Sequence, residues 1–346
     1  MSLKNEQIHV ITSLSPGGAQ KILLDYIKNL KSNKISLFSL RRGGVYETSF
    51  ENFDVKVNYI FSLKGCLLFL SKIKPSNTFF FWMYHACIIS IITFLFSLGR
   101  AKIIWYIHHG RVSKQFDSLS TRISAYLCKL ISYVTPNKIF YVSKDCMVQH
   151  EVYGFNSMIG EVVHNPISFG ISDYMKISTH SRIYDFAFIG RAHKNKRYEY
   201  FIQTAISVAY EYKHVKVLVA GEGTDAERFK MLIPPEVINN FFFYGHISEI
   251  NSFLLNIKTL VSTSAIESFG LIPLEAFLHG CNVISTDIPA IYEVLGDKAM
   301  YIPIDDDFRL DNLMLSHEFR VNSEKDILTI HSKFSIESFV QKMCAE

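Results

Sequence analysis

Short, continuously apolar runs of strand character alternate with stretches of helical periodicity along this chain, and that alternation confines it to parallel α/β architectures. QIHVITS reads as a strand, and Ala19, Ile22, Leu23, Tyr26, Ile27 and Leu30 recur after it at helical spacing. ISLFSL, VKVNYIF, KIIWYIHH and KIFYVS are further strands, with a helix over 119–133 and another that Ser143 opens as N-cap. EVVHNPIS, with Pro166 after Asn165, marks the exit from a first domain. The rhythm then restarts with DFAFIG, a helix over 198–212, HVKVLVAG and a helical stretch over 224–232 that stops at Pro234-Pro235. NFFFYG, KTLVSTS and NVISTD follow as strands, and FSIESFVQKMC reads as an amphipathic closing helix. Two such series predict two doubly wound α/β domains, 1–168 and 169–330, with 331–346 returning to the first. A single large α/β domain is the alternative; 346 residues exceed the ~250–300 at which one core stops growing.

Charge divides the same way. Residues 1–170 carry 19 Lys and Arg against 9 Asp and Glu, a balance of +10, which leaves −6 for the remainder of a chain whose net charge is +4. The cations of the first half stand singly within apolar segments, with no Arg-rich helix, so an anionic lipid surface fits them better than nucleic acid. Six scattered cysteines without a Cys-x-x-Cys pair argue against a disulfide scaffold or a zinc knuckle, and the N-terminus lacks a signal-peptide pattern. A cytoplasmic protein is expected. The run from Thr78 to Gly99 has no Asp, Glu, Lys or Arg, and about 20 apolar residues suffice to span a bilayer. A strand followed by a helix accounts for it as well, because a parallel strand covered on both faces is also continuously apolar.

The segment STSAIESFGLIPLEAFLHGCNVISTD carries the strongest chemical signal. A strand ends near Ser264, a glycine loop turns the backbone, and a helix begins near Leu271 with Pro273 in its first turn. Such an edge presents backbone N–H groups at a positive helix end, which suits a diphosphate. Glu267 on the loop and Glu275 one turn into the helix are poor phosphate ligands but good acceptors for hydroxyls; a capping acid followed by a surface glutamate is the plain alternative. Gly17 and Gly18, ahead of a helix, let the backbone approach a phosphate, or simply make a turn. Arg191 and Lys196 follow DFAFIG and either offer two charges to a diphosphate or belong to a solvated basic loop with His193, Lys194 and Arg197. His108-His109-Gly110 ends an apolar strand, where a histidine serves chemistry or structure. No cluster has metal-ligand spacing.

Taken in order, SPGGAQKILLDYI, FIGRAHKNKR, VLVAGEG, FFFYGHI, the two-glutamate segment and STDIPAIYEVLG resemble the motifs of retaining glycosyltransferases of family 4 (glycosyl transferases group 1) across nearly the whole chain. The resemblance implies the GT-B fold, two Rossmann-like domains facing across a cleft, the first binding acceptor and the second nucleotide sugar. It implies catalytic roles for His109, Arg191, Lys196 and Glu267, and donor contacts from Gly17, Gly18, Gly221, Gly223, His246, Ile247, Phe269, Gly270, Leu271 and Glu275, with Glu267 on the sugar and Glu275 on the ribose. No metal or cofactor is implied beyond the nucleotide-sugar co-substrate, a UDP-sugar before a GDP-sugar. The implied reaction passes a hexose or N-acetylhexosamine to a lipid-linked saccharide in bacterial O-antigen, lipopolysaccharide or capsule synthesis, on the inner face of the plasma membrane. A nucleotide-sugar epimerase of the same fold, or a non-catalytic nucleotide-sugar-binding component, are the rival expectations. The chain departs from the family pattern at Arg197, where Gly is common after the lysine, and at Pro289-Ala290, where a glycine pair is common, while Glu293 is kept.

Overall fold

The structure is a computed structural model and describes residues 5–30, 34–53, 55–167, 181–247, 249–305, 308–316, 318–319 and 322–346. The chain divides into two compact units, residues 1–168 with 334–346, and residues 169–333.

The first unit is a seven-stranded, wholly parallel sheet of β1 (Gln7–Ile11), β2 (Ile35–Ser39), β3 (Val57–Tyr59), β4 (Thr78–Trp82), β5 (Lys102–Ile107), β6 (Lys138–Tyr141) and β7 (Gly160–Val162). Its order is β3-β2-β1-β4-β5-β6-β7, so the direction of travel reverses between β1 and β4. The charge-free run resolves into β4, buried at every position, and the helix Tyr84–Phe96. Among the described residues no helix is long and apolar enough to cross a membrane. Ser143 caps its helix as expected, accepting from Cys146 N at 3.0 Å. EVV, read only as a domain exit, adds the edge strand β7.

The second unit repeats the plan with β8 (Tyr184–Ile189), β9 (Val217–Ala220), β10 (Phe241–Tyr244), β11 (Ile257–Ser262), β12 (Asn282–Thr286) and β13 (Met300–Ile302), all parallel, in the order β10-β9-β8-β11-β12-β13. Both units are therefore Rossmann-like. The helix expected over 224–232 shrinks to Glu227–Lys230. Thr224 is drawn into the turn before it, its hydroxyl donating to Gly221 O at 2.8 Å, and that side-chain bond competes with helical geometry.

The closing helix, Ile336–Ala345, packs on Gly18–Asn29 of the first unit. A buried polar chain ties it in. Trp82 Nε1 donates to His9 Nδ1 at 3.1 Å, which leaves the His9 proton on Nε2, facing Gln7 Oε1 at 3.3 Å. Tyr26 donates to the same oxygen at 2.6 Å, and Gln7 Nε2 donates to Met343 O at 3.0 Å. At the N-terminal ends of β5 and β6, Glu346 takes Lys102 at 2.8 Å and Lys138 at 2.5 Å. Burial works against its charge, but these two ammonium groups outweigh that and hold its carboxyl below the usual range.

Candidate functional site

In an open parallel sheet the loops at the carboxyl ends of the strands part company where the strand order reverses, and ligands settle there. In the second unit that point lies between β8 and β11. The loop after β8 holds Arg191 and Lys196, and the loop after β11 holds Glu267. Lys196 Nζ forms an ion pair with Glu267 Oε1, although the two are 71 positions apart. Ser264 Oγ donates to the same carboxylate oxygen at 2.8 Å. The loops are also stitched through the backbone: Ala265 N donates to Asn195 O at 2.7 Å, and Thr263 Oγ1 donates to Lys196 O at 2.8 Å. Thr286 Oγ1 in turn donates to Ser264 O. Lys196 and Glu267 thus sit on a braced platform, partly exposed, while Arg191 is exposed on the same loop as Lys196.

Gly270 opens the helix Leu271–Leu278 from a left-handed conformation, φ 87°, with Ile291 only 3.0 Å from where a Cβ would stand. Leu274 N is the first to find an intrahelical acceptor, Gly270 O at 3.1 Å. The N–H groups of Leu271 and Ile272 have none within the helix, and Pro273 has no N–H to satisfy. Phe269 is buried beneath this turn. Glu275 lies on the buried side of the helix, 8% exposed, and is no surface glutamate.

Gly221, Gly223, His246 and Ile247 lie on the loops after β9 and β10. Gly221 has φ 127°, and a Cβ there would be 2.0 Å from Gly190 O, so only glycine allows the loops after β8 and β9 to touch. Ala192 N donates to Glu222 O at 2.9 Å and Gly221 N to Gly245 O at 2.8 Å, which links three successive loops. His246 is exposed and Ile247 half-buried. Arg197 holds a left-handed φ of 49°, the conformation that suits the glycine usual in the family pattern. Its guanidinium lies 4.6 Å from the Tyr200 ring centroid, a contact worth about 0.5–1 kcal/mol, which offsets part of a backbone cost of about 1–2 kcal/mol.

In the first unit, His109 follows β5 and its Nε2 meets Asp117 Oδ2 at 3.1 Å; the same oxygen accepts Ser113 N at 2.7 Å. Asp117 therefore orients His109. His108 points elsewhere: its ring lies against Trp82 and Tyr106, and burial lowers its pKa to about 3. Gly17 caps the helix Gly18–Asn29 from an extended conformation, six residues past the end of β1 rather than directly on it, with Gln20 Oε1 2.6 Å from a would-be Cβ. Among the described residues no three His, Cys, Asp or Glu side chains converge as a metal site.

Asp117, Ser264, Thr263 and Thr286 were not anticipated. The Ser-Thr-Ser run ahead of Glu267 is a visible signal for two of them. Nothing local marks Asp117, because only the path of the loop after β5 returns it to His109.

Comparison with known proteins agrees with this architecture. Residues 175–306 match the family model for glycosyl transferases group 1, so the second unit carries a domain of that kind. A curated relative, an uncharacterised 41.2 kDa protein of the cps region of Klebsiella pneumoniae, is 24% identical over 212 residues, 56% of this chain and 57% of that protein; the match thus spans a little over half of the relative's length. Among solved structures, the Anabaena protein HepE in complex with UDP-glucose superposes with a TM-score of 0.79 at 14% identity over 98% of both chains. The lipopolysaccharide outer core galactosyltransferase WaaB gives 0.68 at 18% identity, over 97% of this chain and 98% of its own. At these identities the likeness is one of fold: two parallel α/β units of the kind that build GT-B glycosyltransferases.

Proposed function

We propose that the chain is a retaining, metal-independent glycosyltransferase that takes a hexose or N-acetylhexosamine from a nucleotide diphosphate sugar, UDP-linked in preference to GDP-linked. The acceptor is a hydroxyl of a lipid-linked saccharide in bacterial surface polysaccharide synthesis, met on the inner face of the plasma membrane, where the basic first unit rests against anionic lipid. The reading is carried by one observation: Lys196 and Glu267 pair across the loops at the switch point of the second sheet, and the loop that carries Glu267 leads into the N-terminus of Leu271–Leu278, whose first N–H groups have no acceptor within the helix. The group 1 family match over 175–306, the cps-region relative and the UDP-glucose complex of the HepE structure support it.

In this reading the second unit holds the donor. The incoming diphosphate competes with Glu267 for the Lys196 ammonium, and the released carboxylate turns to the sugar hydroxyls. Arg191, Lys196 and the amides of Gly270 and Leu271 stabilise charge as the bond from the anomeric carbon to phosphate oxygen breaks, the contribution that usually dominates such catalysis. The acceptor oxygen bonds to the same face of that carbon, and its proton passes to the departing phosphate oxygen. Gly17 and Gly18 add backbone donors, Gly221, Gly223, His246 and Ile247 border the base, Phe269 supports the loop, and Glu275 takes the ribose. His109, steadied by Asp117, serves the sugar and acceptor hydroxyls.

The test is thermal stabilisation and donor hydrolysis across UDP- and GDP-sugars, followed by analysis of the product's anomeric configuration. Stabilisation by a UDP-sugar and a product with the donor's configuration are expected. An epimerised donor, or binding without turnover, would contradict the proposal.

A further inference from the structure

Two neighbouring helices of the first unit, Tyr84–Phe96 and Leu119–Ile131, pack on each other and are built inside out. Apart from Tyr84 at the first turn, their buried positions hold small or polar side chains: Ala86, Cys87, Ser90 and Thr93 in one, Ser124, Ala125 and Cys128 in the other. The sheet below explains why. Ser90 Oγ accepts the indole N–H of Trp105 at 3.0 Å and meets Thr135 Oγ1 at 3.1 Å, so this polar residue is needed inside. The bulk of both helices faces outward instead. Leu95 is 60% and Phe96 65% exposed, Ile123 51% and Leu130 50%, with Ile91 and Tyr126 exposed as well. Ile123, Tyr126 and Leu130 follow helical spacing and form one stripe. A monomeric soluble surface rarely leaves so much contiguous apolar area to water.

Charge identifies what covers it. Residues 55–144 contain nine Lys and three Arg against one acidic residue, Asp117, which is engaged by His109. Lys72, Lys102 and Lys138 are taken up by Glu6, Glu346 and Glu161. Arg100, Arg122 and Lys129 remain on or beside the two helices, Lys129 lying 5.9 Å from the Tyr126 ring centroid. A second copy of this chain docked on the same face would set cation against cation, whereas lipid phosphates would neutralise them. Each helix has 13 residues, roughly 20 Å, short of the ~30 Å hydrocarbon core, so the pair can lie in a bilayer surface but not cross it.

We propose that these paired helices are a membrane-docking face, lying flat on an anionic bilayer with the Leu95–Phe96 and Ile123–Leu130 side chains among the acyl chains and Arg100, Arg122 and Lys129 at the headgroup phosphates. This deepens the membrane location proposed above by naming the surface and by making apolar insertion, rather than charge alone, the source of affinity. The full chain is tested by flotation with phosphatidylcholine vesicles, with and without phosphatidylglycerol. Wild type is expected to float with the anionic vesicles and to retain part of that binding in high salt. The double variant Ile123→Asp/Leu130→Asp is expected to lose it by at least ~10-fold, with an unchanged thermal midpoint because both side chains are exposed. Wild type that floats with neither vesicle, or a variant that floats as well as wild type, overturns the proposal. So does a wild-type dimer in light scattering that the variant converts to monomer, which would give the face to a second copy. Donor stabilisation measured without vesicles reports separately on the glycosyltransferase reading, so either can fail without the other.

Discussion

At the scale of single residues, Lys196 and Glu267 neutralise one another on a platform whose other hydrogen bonds are already made. Removing the ammonium frees a carboxylate next to the position assigned to the diphosphate. Lys196→Ala is expected to lower kcat by at least ~10-fold while the thermal midpoint moves little, because the pair is partly solvent-exposed. Unchanged turnover in steady-state kinetics would remove Lys196 from the assigned role. The glycines of the neighbouring loop separate two causes of intolerance. At Gly221 an added Cβ meets the Gly190 carbonyl at 2.0 Å, whereas at Gly223, φ 78°, the nearest atom is Ala192 Cβ at 3.6 Å. Gly221→Ala is expected to destabilise by about 2–4 kcal/mol in urea titration and Gly223→Ala by about 1 kcal/mol. Equal costs would mean that backbone conformation, not the clash, is decisive.

At the scale of elements, the closing helix is held by a polar chain that crosses the core rather than by its apolar stripe alone. Gln7 is the hub: it accepts from Tyr26, faces the Nε2–H of His9 and donates to Met343 O. Gln7→Leu keeps much of the volume but leaves three buried polar groups without that partner, a loss of about 2–4 kcal/mol. Hydrogen exchange should quicken across Ile336–Ala345 more than across β5, and uniform quickening would show that the bonds serve the whole core equally. The apolar pattern that located Tyr84–Phe96 and Leu119–Ile131 as helices carried no information about which side turns inward, because the hydrogen-bonding needs of Trp105 and the small residues at their contact decided that.

At the scale of the whole molecule, His9, His108 and His150 are folded away uncharged. Burial lowers the pKa of His9 and His108 to about 3 and of His150 to about 4, the last despite its Nδ1–H donating to Cys146 O at 2.7 Å. The unfolded chain binds these protons near pH 6.5 and the folded chain does not, so stability is fully present above that pH and falls as pH drops toward 4. Each histidine contributes a slope of up to ~1.4 kcal/mol per pH unit. Urea unfolding between pH 7 and pH 4.5 should show this decline, and His9→Gln should flatten it. A pH-independent midpoint would contradict the buried neutral state.

The two-unit α/β plan, nearly every strand, the Ser143 cap and the glycine-led helix at Leu271 were legible in the amino-acid order, because parallel strands covered on both faces are apolar without interruption and capping and turn chemistry act over a few residues. Arg191, Lys196 and Glu267 could be singled out the same way, as charges standing at strand ends. What the order of residues could not express is which strand ends become neighbours. The pairing of Lys196 with Glu267, the return of Asp117 to His109 and the outward face of the two apolar helices follow from strand order, crossover path and buried hydrogen bonds, and these are settled only when segments distant in the chain compete for the same partners in space.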